Sequence, residues 1–238
     1  MSITYLLIQC GFALITFFFY GVLLVVIRTA INKTSRSLEQ KRKLFLVVFS
    51  TIAGWFAISM LLSLSGFLRD FTTVPPRFLI ILVIPFITII VVLNRKATRE
   101  ILAVTPGFVL IYLQVFRVFV EILLWGLFAK NLLPVQMTFE GRNFDVLSGL
   151  SAPIVGWLMQ YQKVSRKVVI AWNLICLGIL INIVVTALLS IPSPFRYFMN
   201  EPANTIVAEF PIVWLPALLV PLAYGLHLLS IKQLFMKK

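Results

Sequence analysis

Long apolar stretches alternate with short polar segments along the whole chain. Seven of the stretches are close to the roughly 20 residues that an α-helix needs to cross the hydrocarbon core of a bilayer. None has the alternating apolar and polar pattern of a membrane barrel strand, so helices are the only structure that satisfies the backbone there. The predicted spans cover about residues 3–27, 44–66, 78–93, 107–129, 144–161, 168–190 and 212–231.

The composition leads to the same fold class. The chain of 238 residues is 61% hydrophobic and 12% charged, whereas soluble domains are about 45–50% apolar and about 25% charged. The sequence therefore predicts an all-α integral membrane protein, a seven-helix bundle forming one transmembrane domain over residues 1–238, with the lipid bilayer as its surroundings. The net charge of +13 has its origin in basic loops, and we expect no nucleic-acid partner.

The basic residues predict the orientation of the bundle. Of the 21 Lys and Arg residues, 15 follow the first, third, fifth and seventh spans, five lie on the other side, and Arg117 falls inside the fourth span. Because basic residues collect in cytoplasmic loops, the N-terminus is expected outside and the C-terminus in the cytoplasm. We expect a multi-pass protein of the bacterial cytoplasmic (inner) membrane.

The fourth span carries the clearest candidate site. Its polar residues are spaced by three and four positions and so share one helix face: Gln114, Arg117, Glu121 and Trp125. A charge near the middle of the bilayer costs about 2.5–3.5 kcal/mol, so such residues face the interior and pair. Two interpretations stay open, an Arg117–Glu121 pair that only locks helix packing and a working site for a substrate, ion or proton. A further partner is expected from the second or sixth span, with Asn182 in the sixth span as the first candidate.

A second cluster precedes the fifth span on the exterior side. Its residues combine acids, bases and an amide: Glu140, Arg142, Asn143 and Asp145, with Arg77 in the same layer. Asn143 or Asp145 can cap the following helix, and Glu140 or Arg142 can pair with each other or with Arg77. The segment is either a plain cap and turn or a lid and recognition loop over a cavity open to the outside.

Two patterns concern helix packing. Small residues one turn apart in the fifth span, Gly149, Ala152 and Gly156, predict a close helix contact. Pro216 and Pro221 interrupt the seventh span, where they free backbone carbonyls for ligands.

The sequence has few of the residue patterns that are typical of enzymes. The single histidine, His227, is expected near the cytoplasmic end of the seventh span, and Ser151 near the exterior end of the fifth, which excludes a Ser–His dyad. Metal-ligand motifs and nucleotide-binding loops are absent from the sequence. We therefore assign no catalytic residue, metal or cofactor.

Two functions are favoured, and an intramembrane enzyme stays open as a third. The first is a small-solute or ion transporter or permease-like protein with a polar site around the fourth span. The second is a receptor, sensor or assembly subunit that binds at its exterior loops and acts through a membrane protein partner.

Overall fold

The computed structural model describes residues 3–236, and this part of the chain is helical and contains no strand. Nine α-helices follow one another: α1 (Ile3–Asn32), α2 (Leu38–Leu64), α3 (Ile80–Asn94), α4 (Lys96–Val104), α5 (Gly107–Tyr112), α6 (Phe116–Phe128), α7 (Asp145–Gln160), α8 (Arg166–Leu188) and α9 (Val220–Met236). A 3-10 turn, Arg77–Leu79, leads into α3, a second, Leu113–Val115, joins α5 to α6, and a π-helical segment, Leu215–Leu219, leads into α9.

Six helical stretches are long and apolar enough to cross a bilayer: Ile3–Asn32, Leu38–Leu64, Arg77–Asn94, Gly107–Phe128, Arg166–Leu188 and Leu215–Met236. The prediction of a helical multi-pass membrane protein is thus confirmed. The predicted fifth span corresponds to α7, which has 16 residues and is about 24 Å long at 1.5 Å per residue. That length falls short of the roughly 30 Å hydrocarbon core, so the count of seven stays a prediction.

The helix α4 lies in a segment that was predicted to be a basic loop. Its Thr98 and Leu102 are buried while Arg99 is exposed, as in a helix that lies along the surface of a bundle. Gln233 of α9 donates hydrogen bonds to the carbonyl oxygens of Leu102 and Thr105, at 2.6 Å each. These bonds satisfy carbonyls that the end of α4 would otherwise leave unpaired.

The core of the bundle includes side chains of α1, α6, α9 and the π-helical segment. Phe12, Leu127 and Leu219 are fully buried there. By contrast α2 buries only Ser59 and Ser63, so it lies at the periphery with its apolar side chains exposed, which suits a helix that faces lipid.

Prolines explain the irregular start of the last span. Pro221 has no N–H to donate, so the carbonyl of Ala217 one turn earlier lacks its helical partner. Trp55 of α2 donates its indole N–H to that oxygen at 2.9 Å, and Tyr20 of α1 donates to the carbonyl of Leu218 at 2.9 Å. The carbonyl that Pro221 frees is therefore held by a neighbouring side chain.

The helix termini meet at two ends of the bundle. The end that we call the basic end joins segments predicted to be cytoplasmic, through Arg36–Glu100 (2.6 Å), Lys41 to the Asn32 carbonyl (2.9 Å), and Arg166 over the Phe235 ring. The opposite end holds Arg77–Asp70 (3.1 Å), Arg196–Glu201 (2.9 Å) and Arg69–Glu209 (3.8 Å). Lys237 and Lys238, which contribute to the predicted basic bias, lie outside the described residues.

Candidate functional site: a buried polar network

Arg117 lies inside the bundle and is held by a carboxylate from a different helix. Its side chain is 1% exposed. The Nε atom donates to Oδ2 of Asp145 at 2.6 Å, and Nη2 donates to Oδ1 of the same carboxylate. Two parallel bonds of this kind form the strongest common geometry between a guanidinium and a carboxylate. Asp145 is the first residue of α7 and is itself buried.

A glycine brings α6 and α7 close enough for this contact. A methyl group on Gly149 would lie 2.8 Å from the backbone nitrogen of Val118 and 3.2 Å from Cβ of Arg117. Gly149 is one turn after Asp145 and therefore on the same face of α7. Ala152 is fully buried, and a methyl group on Gly156 would lie 2.9 Å from the Tyr112 ring. The small-residue stripe thus makes the close helix contact that the sequence predicted.

His227 joins the network on the other side of Arg117. Nη1 of Arg117 lies 2.9 Å from Nε2 of His227, and Nδ1 of His227 lies 2.8 Å from Oδ1 of Asn173. Because arginine can only donate, Nε2 must be the accepting nitrogen and Nδ1 must carry the hydrogen. The contacts therefore define a neutral His227 in a single tautomer.

Asn173 continues the network towards the basic end. Its Nδ2 donates to the Val169 carbonyl at 2.8 Å and to Oγ of Ser230 at 3.1 Å. The assignment of its amide oxygen as the acceptor from His227 agrees with these two donated bonds. Three helices, α6, α8 and α9, are linked in this way by buried polar groups.

Glu121 joins from the next turn of α6 through an asparagine. Nδ2 of Asn143 donates to Oε1 of Glu121 at 2.6 Å and to the carbonyl of Met137 at 3.1 Å. Oδ1 of Asn143 accepts the backbone N–H of Asp145 at 3.1 Å. Asn143 thus connects the Glu121 carboxylate to the backbone of Asp145 at the start of α7. We refer to the connected side chains of Arg117, Glu121, Asn143, Asp145, Asn173, His227 and Ser230 as the polar network.

The charges in the polar network do not balance by themselves. One guanidinium faces two carboxyl groups, and Oε2 of Glu121, a residue 2% exposed, has no hydrogen-bond partner within residues 3–236. An unpaired buried carboxylate costs several kcal/mol, whereas a neutral buried group without a partner costs about 1–3 kcal/mol. The electrostatic balance of the buried network therefore favours one further positive charge bound at Glu121.

The structure places the predicted residues of α6 inside the bundle but changes their partners. Gln114 is fully buried and donates to the carbonyl of Ala223 at 3.2 Å. The expected Arg117–Glu121 ion pair does not form, because Arg117 is held by Asp145. Side chains in a helix lean towards its N-terminus, so Arg117 leans away from Glu121, which comes one turn later. The expected link from Asn182 is also wrong, since its amide donates to the Arg142 carbonyl at 2.8 Å.

The exterior candidates divide into two groups. Asn143 and Asp145 are buried in the polar network. The other three make contacts at the opposite end of the bundle: Glu140 accepts from Trp125 Nε1 at 2.5 Å, Arg142 lies over the Phe198 ring, and Arg77 pairs with Asp70. The hydrogen bond from Thr72 holds the pKa of the Asp70 carboxyl below its usual range.

Sequence reasoning missed His227, Asn173 and Ser230. It placed His227 near the cytoplasmic end, whereas the residue lies near the middle of the span Leu215–Met236, against Arg117. The available signal was the spacing of His227 and Ser230, three positions apart and therefore on one face of a predominantly apolar helix. Ser151 instead accepts the indole N–H of Trp172 at 2.9 Å.

Comparison with known proteins identifies a family for the chain but no individual relative. No curated protein and no solved structure matches it. A family model described as a domain of unknown function matches residues 75–235, a range that contains every residue of the polar network. The chain belongs to this family, Domain of unknown function (DUF8737).

Proposed function

We propose that the protein is a small transporter or permease-like protein for a small solute or an ion, with the polar network as its working site. The observation that carries the proposal is the fully buried Arg117, paired with Asp145 between helices of a membrane protein. Ionisable groups inside a membrane bundle are costly, and where they occur they mark substrate, ion or proton paths.

The extent of the polar network favours a working site over a structural pair. A structural pair would be complete with Arg117 and Asp145, whose two opposite charges cancel. The network instead adds Glu121, which brings a further carboxyl, and His227, which brings a titratable ring. Both additions increase the desolvation cost of the network.

The polar network is occluded in this conformation. Arg117 and Glu121 are 1% and 2% exposed. On the side of the opposite end, the segment 137–143 covers the network, with Met137, Thr138 and Asn143 buried. We propose that this segment is the lid over the site, and that transport requires it to move away from the bundle.

The proposal includes seven spans, with α7 as the fifth, the N-terminus outside and the C-terminus in the bacterial cytoplasm. Single cysteines tested for labelling by an impermeant reagent separate the arrangements: S35C and K163C should label from the cytoplasm, K130C and N200C from outside. These positions are exposed. The background should carry C10S, because Cys10 is exposed whereas Cys176 is buried. Labelling of K130C and K163C from the same side would overturn the seven-span topology.

Transport can be tested with the full chain in proteoliposomes. The probes are proton and sodium flux under an imposed membrane potential, and uptake of labelled amino acids, sugars and carboxylic acids. We expect transport of at least one probe, and its loss in R117M. The matched control is R69M, which removes an exposed arginine at the opposite end and outside the segment 137–143. Absence of transport for every probe, or equal transport by R117M, would overturn the proposal.

A second candidate function has one observation in its favour. A groove of about 500 Å³ lies at the opposite end, lined by Tyr5, Lys130, Pro202 and Glu209 among others. A receptor, sensor or assembly subunit would use such a surface to bind a ligand or a membrane protein partner. Co-purification of a partner that is lost in K130E and retained in R117M would favour this function over transport.

A further inference from the structure

The two oxygens of the Glu121 carboxyl have different surroundings. Oε1 accepts the 2.6 Å hydrogen bond from Asn143. Oε2 is buried and has no hydrogen-bond partner among the described residues. An ionised carboxylate spreads its charge over both oxygens and seeks donors for each, whereas a neutral carboxyl concentrates the accepting role on one oxygen. The environment of Glu121 therefore resembles that of a neutral carboxyl.

The charged groups that act on Glu121 are Arg117 on its own helix and Asp145 at the start of α7. On the side of Arg117 and Asp145 are His227 and Tyr224 on α9 and Cys176 on α8. The carboxylate of Glu140 is bound to Trp125, one turn after Glu121. From the side of α1, the contacts with α6 involve Ile8, Gly11 and Phe19; Tyr5 bonds to Glu209 and Cys10 is exposed.

The other titratable members of the polar network already use their polar atoms in hydrogen bonds. Arg117 stays protonated in proteins. Asp145 has both oxygens engaged by that guanidinium. His227 presents its accepting nitrogen to Arg117 and its donating nitrogen to Asn173, so a second proton on the ring would point an N–H at an N–H. Glu121 is the remaining group that can take up a proton without losing a bond.

We infer that Glu121 is a proton-binding site, and that the proton is the ion which the proposed transporter carries or uses to drive a solute. This inference rests on the proposed function and names its ion. In the loading step a hydronium ion gives its proton to Oε2, a new O–H bond forms, and water leaves with the electron pair of the broken bond. The loaded network then holds one guanidinium, one carboxylate and two neutral titratable groups, and its net charge is zero.

Proton loading also affects the lid. Asn143 belongs to the segment 137–143 and fastens it to the bundle through its bond to Glu121. A hydrogen bond to an ionised carboxylate is roughly twice as strong as one to a neutral group. Loss of the proton therefore tightens the attachment of Asn143, and uptake of the proton loosens it. Occupancy of Glu121 is in this way coupled to movement of the covering segment.

Infrared difference spectroscopy of the purified full chain tests the inference directly. A protonated carboxylic acid has a C=O stretch that is separate from carboxylate bands and shifts in deuterated water. We expect this band in the wild-type protein at neutral pH and its loss in E121Q. The control E140Q, which changes an exposed carboxylate at the opposite end, should retain it. In D145N, Arg117 is left without its carboxylate, so Glu121 should ionise and the band should again disappear.

The outcomes separate this inference from the proposed function. Absence of the band in the wild type, or its survival in E121Q, would overturn the proton site. If E121Q does not fold, the wild-type spectrum decides alone, because absence of the band there overturns the proton site. A missing band together with a rise in melting temperature on adding sodium would identify a sodium ion as the occupant instead. A band that behaves as expected in a protein that transports no probe would leave the proton site standing and overturn the transporter.

Discussion

Nε2 of His227 accepts a hydrogen bond from Nη1 of Arg117 at 2.9 Å, across 110 positions of sequence. The contact decides the tautomer, because the guanidinium has no lone pair to offer. The hydrogen of the neutral ring is consequently on Nδ1, where it is donated to Asn173. The imidazole thus transmits the orientation of Arg117 in α6 to α8.

The tautomer can be measured without any assignment problem, since the chain has one histidine. Nitrogen-15 NMR of histidine-labelled protein should give one protonated Nδ1 and one unprotonated Nε2 at neutral pH. The variant N173A removes the acceptor of the Nδ1 hydrogen and should shift that resonance. A protonated Nε2 in the wild type would contradict the arrangement of Arg117 and His227.

The unequal charges in the polar network predict unequal effects of removing them. The variant R117M leaves two buried carboxyl groups and no cation, and it should lower the free energy of unfolding by about 3–5 kcal/mol. The variant D145N leaves one guanidinium and one carboxylate, whose charges cancel, so the loss should be limited to charge-assisted hydrogen bonds, about 1.5–3 kcal/mol.

Thermal unfolding in detergent measures this order. The control R142M removes a guanidinium that lies over the Phe198 ring at the surface and should cost less than about 1 kcal/mol. Equal effects of R117M and D145N would mean that Glu121 carries no part of the electrostatic balance.

Sequence periodicity was sufficient to find the polar face of α6 but not its partners. The spacing of Gln114, Arg117 and Glu121 puts them on one side of a helix whatever surrounds it. The carboxylate that pairs with Arg117 is determined by how closely α7 approaches α6. That approach depends on Gly149, which has no side chain and so gives no polar signal in the sequence. Asp145 is the first residue of α7, but the sequence pattern assigned it to the exterior loop. Helix boundaries are the least certain part of such predictions.

The position of His227 was missed for a related reason. The depth of a residue in a span depends on where the helix begins, and the π-helical segment Leu215–Leu219 changes the turn of the chain before α9 starts. The basic bias of the loops, by contrast, depends on sequence alone. The contacts Arg36–Glu100 and Arg166 over Phe235 bring together segments that it assigned to one side.

The hydrogen bond from Trp55 to the Ala217 carbonyl predicts a specific cost for W55F. Phenylalanine keeps most of the apolar ring but cannot donate, so the carbonyl released by Pro221 loses its partner. We expect the melting temperature to fall, with a loss of about 1–3 kcal/mol. The matched control is W157F, which changes a half-exposed tryptophan of α7. A W55F variant as stable as W157F would show that another group, such as water, satisfies the carbonyl.

Because α6 and α7 approach closely at Gly149, we expect substitution of this glycine to lower stability more than its helical backbone conformation alone would suggest. In an exposed helix interior, replacing glycine by alanine stabilises by about 0.5–1 kcal/mol, because alanine restricts the unfolded chain and suits a helix better. At Gly149 the added methyl group would lie 2.7 Å from Cγ2 of Val118 and 2.8 Å from its backbone nitrogen. Backbone cannot rotate away, so the two helices must separate.

We therefore expect G149A to destabilise the protein by about 1–3 kcal/mol, the usual cost of overpacking. The matched control is G178A in α8, where a methyl group would meet nothing within 4 Å, and this variant should be as stable as the wild type or more so. Separation of α6 and α7 also stretches the contact between Arg117 and Asp145, which lies one turn from Gly149. G149A should for that reason reduce transport along with stability, whereas G178A should leave both intact. A G149A variant that matches G178A in both measurements would mean that the helices are not in contact at this point.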